Sequence, residues 1–178
     1  MQTGANVKSK ILLKIAEKPK NQKCFVVFAT LSLVTMVAIF LFSAQPAELS
    51  AELSGEFAGW VDNLLNAFKW LLSEGARLWI KTYIRKIAHF MLYALLGAFV
   101  SSALLNTKIK KEIFKYGVSA AVCLFYSITD EIHQLFVDGR SGEIRDVLLD
   151  FSGAVTGIFF VFVIYKIICI SSKKCKKI

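Results

Sequence analysis

A chain of 178 residues that is 56% hydrophobic, with a mean hydropathy of +0.56, is too apolar for an ordinary soluble domain and too short for more than one domain. The net charge of +9 does not point to nucleic acid, because the basic residues flank apolar runs instead of interleaving with aromatics on a polar surface. Cys24, Cys123 and Cys169 lie in or at the ends of apolar segments and Cys175 in a basic tail, with no C-x-x-C pair, which argues against a disulfide framework or a thiolate metal site.

Residues 1–23 form a basic arm in which Lys8, Lys10, Lys14, Lys18, Lys20 and Lys23 face Glu17 alone. The uncharged run that follows, about 24–44, is long enough to cross a hydrocarbon core of about 30 Å. It exceeds the apolar core of a signal peptide, about 7 to 15 residues, and Ser43-Ala44-Gln45-Pro46 is a poor cleavage site, so a retained first span is expected. Over about 55–72, Phe57, Trp60, Val61, Leu64, Leu65, Phe68, Leu71 and Leu72 recur at helical spacing with Glu56, Asp62, Asn63, Asn66 and Lys69 between them. That pattern predicts an amphipathic helix lying in the membrane interface; a span there would bury four polar residues at mid-membrane. Three further spans are expected at about 82–105, 116–136 and 144–170, before a basic tail over 171–178. The expected fold is therefore all-α, an integral membrane protein of four transmembrane helices with one interfacial helix between the first and second.

Lys and Arg concentrate in the arm, in the 106–115 link and in the tail, which four spans place on one side. The positive-inside rule makes that side the cytoplasm, with both termini there and the lysines also touching anionic lipid. The second, third and fourth spans then bring Lys86 and His89, Asp130 to Gln134, and Arg145, Asp146 and Asp150 to their outer ends. At 1.5 Å per residue, Asp130 and Asp150 each lie roughly 10 Å inward of the 137–143 link. Charges at that depth cost about 2.5–3.5 kcal/mol each on insertion scales and usually serve a function. Helical stripes agree: Lys86, His89 and Tyr93 on the second span; Ser127, Asp130 and Gln134 on the third; Asp146, Asp150, Gly153 and Gly157 on the fourth. Gly153 and Gly157 also form G-x-x-x-G, which serves a dimer or packing within one chain equally well, and the oligomeric state stays open.

Asp130-Glu131-Ile132-His133-Gln134, followed by Arg140, Asp146 and Gly153 and preceded by Phe42-Ser43-Ala44-Gln45 and Lys86-x-x-His89-Phe90, resembles the VanZ-like family of bacterial membrane proteins over roughly residues 25–165. Members of that family often carry Pro-Gly-Arg where this chain has Asp138-Gly139-Arg140, a departure that alters the turn and adds a charge but keeps the arginine. The resemblance implies a plasma-membrane protein of the bacterial cell envelope associated with resistance to the glycopeptide teicoplanin.

Three uses of the polar cluster are open. It can be a pocket that binds an envelope lipid, a lipid-linked component or a lipoglycopeptide. It can be the active site of a phosphatase or transferase acting on a lipid phosphate or polyprenyl-linked substrate. Lys86, Arg140 and Arg145 would then hold the phosphate with Tyr93, Gln134 and Asp150 beside them. His89 or His133 would act as nucleophile or general acid/base, and Asp130, Glu131 and Asp146 would orient them or bind a divalent cation. Or it can be an ion-pair network that only fixes helix register, although its four carboxylates, two histidines, two arginines and Lys86 exceed what register requires. A proton-coupled carrier is weaker, because no inverted repeat is evident.

Overall fold

The computed structural model describes residues 21–48 and 74–171 and, between them, only positions 52, 55, 56, 59 and 63. Nearly all of the basic arm, the expected interfacial helix over 55–72 and the basic tail thus lie outside the described residues. Four α-helices carry the rest: α1 (Gln22–Ser43), α2 (Glu74–Leu105), α3 (Glu112–Gln134) and α4 (Ile144–Ser171). The starts of two helices depart from the expected bounds by more than a turn: α2 begins at Glu74 instead of 82, and α3 at Glu112 instead of 116.

Helix α1 starts where Asn21 takes an extended conformation and its side-chain oxygen accepts a hydrogen bond from the Cys24 N–H at 3.3 Å. Two of its buried polar residues, Ser32 and Thr35, return their hydroxyls to the Phe28 and Leu31 carbonyls, so neither is left unsatisfied among apolar neighbours. Helix α3 is patterned the opposite way from a soluble helix. Ser119, Ser127, Asp130, Glu131 and Gln134 are buried, while Ile113, Phe114, Phe125, Ile128 and Ile132 face outward.

Among the described residues, three helical stretches, Gln22–Ser43, Tyr83–Leu105 and Ile144–Ile170, are long and apolar enough to cross a membrane. Helix α3, expected to be a fourth, is not among them. At 23 residues it is about 34 Å long, so length is not the reason. Its inward face carries the polar residues, and an average over the helix counts them together with the apolar outer face.

The chain runs up, down, up and down, and contacts define two ends. At one, the Asn21 N–H meets the Asn106 carbonyl, Lys115 donates to the carbonyls of Leu105, which ends α2, and of Thr107 just beyond it, and Glu112 accepts from Tyr165. At the other, Ser43, Lys86, Asp130 and the 135–143 link come together. Helix α2 packs most extensively on α4, and there the backbones approach until no side chain fits between them: a Cβ on Gly97 would strike the Ala154 carbonyl, and one on Gly153 or Gly157 would strike the carbonyl of Phe90 or Ala94. The G-x-x-x-G motif is thus used within the chain. Ile39, Tyr93, Leu96, Cys123 and Ala154 form the apolar centre beneath the polar end.

Candidate functional site

The polar end is assembled from three backbone events. Helix α3 stops at Gln134, and the N–H groups of Leu135, Phe136 and Val137 turn back onto the carbonyls of Ile132, His133 and Gln134. Gly139 then takes a positive φ of 73°, which reverses the chain, and the Asp138 carbonyl accepts from the Ala47 N–H at 3.1 Å, tying the link to the segment after α1. Helix α4 begins after Glu143, whose N–H donates to Glu131 Oε1 at 2.6 Å. Glu131 therefore supplies a carboxylate to an N–H that the start of α4 would otherwise leave unpaired.

A chain of hydrogen bonds, buried at Ser43, Asp130 and Gln134 and more open at Arg140, crosses from α1 to the link. Ser43 Oγ donates to Asp130 Oδ2 at 2.8 Å, and Gln134 Nε2 donates to the same oxygen at 3.3 Å. Arg140 donates through Nη1 to Gln134 Oε1 at 3.2 Å and through Nη2 to the Phe42 carbonyl at 3.1 Å. Burial, with Arg85 nearby, lowers the Arg140 pKa from its ordinary value, while Asp130 and Glu131 draw it back up. A guanidinium stays protonated under such shifts, so the network keeps its cation.

Above this network lies a cavity of about 290 Å³. Arg85, Lys86 and His89 of α2, Glu131 and Gln134 of α3, Arg140 and Glu143 of the link, and Asp146 and Asp150 of α4 contribute to its wall. Lys86 Nζ donates to Asp146 Oδ1 at 2.6 Å, but both side chains are partly exposed. Such a pair contributes at most about 1 kcal/mol, so its consequence is to hold two charged groups at the mouth. Deeper, His89 Nδ1 stands 3.7 Å from Asp150 Oδ2, beyond hydrogen-bond length.

The VanZ/LLP1 family model matches residues 28–167, a stretch that contains every residue of the cavity wall and α1 from Phe28 to Ser43. The chain belongs to the VanZ/LLP1 family. No curated protein and no solved structure matches it.

For this VanZ/LLP1 chain, the family-like residues and the cavity largely coincide. Lys86, His89, Glu131, Gln134, Arg140, Asp146 and Asp150 all line it, and five of them, Lys86, His89, Gln134, Asp146 and Asp150, come from the helical stripes. Asp130 lies just beneath, 3% exposed, and Tyr93 is wholly buried below the floor. Two expected members are elsewhere. Arg145 is exposed and outside the cavity wall, because it sits about 100° around α4 from Asp146. His133 turns toward α1, where its ring lies 4.5 Å from that of Phe40, and it is not part of the cavity wall. Sequence reasoning missed Arg85 and Glu143 in the wall and Ser43 as the partner of Asp130. The Phe42-Ser43-Ala44-Gln45 stretch was the available signal for the last of these.

Proposed function

We propose that this VanZ/LLP1 chain is a four-span protein of the bacterial plasma membrane, with both termini cytoplasmic, whose cavity opens at the outer face and binds the phosphate-bearing head group of an envelope lipid. The observation that carries this is the placing of Arg85, Lys86 and Arg140 around one cavity at the end of an otherwise apolar bundle. Guanidinium and ammonium groups make charge-assisted hydrogen bonds to phosphate oxygens, and an acyl or polyprenyl chain could lie along the exposed apolar faces of α3 and α4. Four spans are supported by α3 running the full distance between the two ends beside three apolar helices, with its apolar side outward. Orientation is supported by Lys108, Lys110 and Lys111 gathering at the end opposite the cavity. Occupancy of a lipid phosphate at that face would alter how a lipid-seeking glycopeptide such as teicoplanin reaches its target.

The test is binding of a labelled polyprenyl phosphate to the protein in lipid nanodiscs. Lys86→Gln and Arg85→Gln are each expected to weaken binding about tenfold, the equivalent of one charge-assisted contact of about 1.4 kcal/mol. Binding that both variants retain in full, or that the native protein lacks, contradicts the proposal. A second reading, turnover of the same lipid, is favoured by His89 with Asp150 behind it, an arrangement suited to a general base or nucleophile. Release of inorganic phosphate or transfer of the lipid group, abolished by His89→Gln in a folded protein, would distinguish turnover from binding.

A further inference from the structure

The cavity floor is more acidic than a phosphate site should be. Asp150 lines it and Asp130 lies directly below, both almost fully buried at 2% and 3% exposure. Two buried carboxylates without a matched cation are expensive, and a bare phosphate placed above them would be repelled.

One ligand atom each from His89, Asp130 and Asp150 lies within 4.8 Å of the other two. Their hydrogen bonding leaves a gap between them. Asp130 Oδ2 is held from behind by Ser43 and Gln134, while Asp130 Oδ1 is buried with no hydrogen-bond partner among the described residues. His89 Nδ1 and Asp150 Oδ2 face each other at 3.7 Å, too far for a hydrogen bond. A fourth group, outside the triad, gives a separate indication. Tyr93 is wholly buried and lies within electrostatic reach of both Asp130 and Asp150, and its hydroxyl also lacks a partner among the described residues. A phenolic hydroxyl buried at no exposure normally finds a hydrogen bond. Here it is directed at the acidic pair, with Asp130 the nearer of the two influences on it.

We propose that His89, Asp130 and Asp150 bind one divalent transition ion, of the zinc or manganese type, at the floor of the cavity. One imidazole and two carboxylates suit such borderline ions. At ligand distances of about 2.1 Å a tetrahedral site sets its ligands about 3.4 Å apart, so the three side chains need close in by only about an ångström. Three protein ligands leave a coordination position open toward the cavity. The two anionic ligands are neutralised by the ion, which gives a lipid phosphate a cation to meet in place of bare carboxylates. That last consequence rests on the head-group reading above; binding of the ion does not.

The experiment loads purified, metal-stripped protein with Zn²⁺ or Mn²⁺ alone and measures stoichiometry and affinity by calorimetry and elemental analysis. One ion per chain is expected, with affinity reduced at least tenfold in Asp130→Asn and Asp150→Asn and unchanged in Ser152→Ala, whose exposed hydroxyl donates to its own helix. Tyr93→Phe keeps the ion. Should the carboxylate variants fail to fold, native protein loaded with Co²⁺ reports the same ligand set through the visible absorption of a nitrogen- and oxygen-ligated site of low coordination number. No stoichiometric ion in the native protein, or one held undiminished by both Asn variants, overturns the proposal. An ion bound by a protein that binds no lipid phosphate supports this inference and contradicts the head-group reading. Head-group binding by a protein that takes up no ion does the reverse.

Discussion

Gly157→Leu is expected to abolish folding. A side chain at this position meets the Ala94 carbonyl and the Ala98 amide nitrogen, and these are backbone atoms of α2 that cannot rotate out of the way. Relief requires α2 and α4 to separate along the seam where Gly97 and Gly153 also sit, and with it the apolar centre around Tyr93, Leu96 and Ala154. Overpacking of a side chain against side chains costs typically about 1–3 kcal/mol, and a clash with the backbone of α2 lies above that range. Native stability is only about 5–15 kcal/mol. The expected observation is loss of the monodisperse species on size exclusion, with no cooperative melt by circular dichroism. Gly117→Ala is the contrast: nothing lies within 4 Å of its Cβ position, and it sits within α3. There alanine is expected to stabilise by about 0.5–1 kcal/mol. A Gly157→Leu protein that folds and melts like the native one would mean the helices do not approach as closely as described.

The second large effect is expected at Arg140. Its two hydrogen bonds join the end of α1, through the Phe42 carbonyl, to the end of α3, through Gln134. The Phe42 carbonyl is among the last four of α1, which have no partner within the helix. Arg140→Ala orphans that carbonyl, releases Gln134 and removes a positive charge within electrostatic reach of Asp130 and Glu131. A loss of about 2–3 kcal/mol follows from hydrogen bonds to a charged group, read as a Tm drop of about 2–4 °C per kcal/mol for a protein of this size. Arg140→Lys separates charge from geometry. Lysine keeps the positive charge but lacks the planar fork that reaches two acceptors at once, so it is expected to recover less than half of the loss. Full recovery would show that charge alone matters and that the fork between α1 and α3 does not.

What the sequence made legible were features that repeat at the helical period. Asp146, Asp150, Gly153 and Gly157 fall at i, i+4, i+7 and i+11, and the last three are buried on one face of α4. Ser127, Asp130 and Gln134 fall on one stripe of α3 and are likewise buried. Residues just off a stripe were not legible. His133 is about 60° around the helix from Asp130, enough to turn it onto Phe40, and Arg145, one residue from Asp146, turns outward. Long-range pairings were also invisible: Ser43 and Asp130 are 87 positions apart, and no periodicity links them. The acidic residues looked alike in the chain but differ in place. Glu131 is taken up by the N–H of Glu143, Asp146 by Lys86, and only Asp130 and Asp150 remain facing His89.

The measurement that bears most directly on the central claim is thiol labelling in intact cells with a membrane-impermeant reagent, in a background from which the four native cysteines have been removed. Ser141→Cys, in the link beside the cavity, is expected to label from outside, and Lys110→Cys, at the other end of α3, only after the membrane is opened. That outcome places the cavity at the outer face and carries α3 across the bilayer. Labelling of both positions from the same side, or of Lys110→Cys alone from outside, would contradict the account.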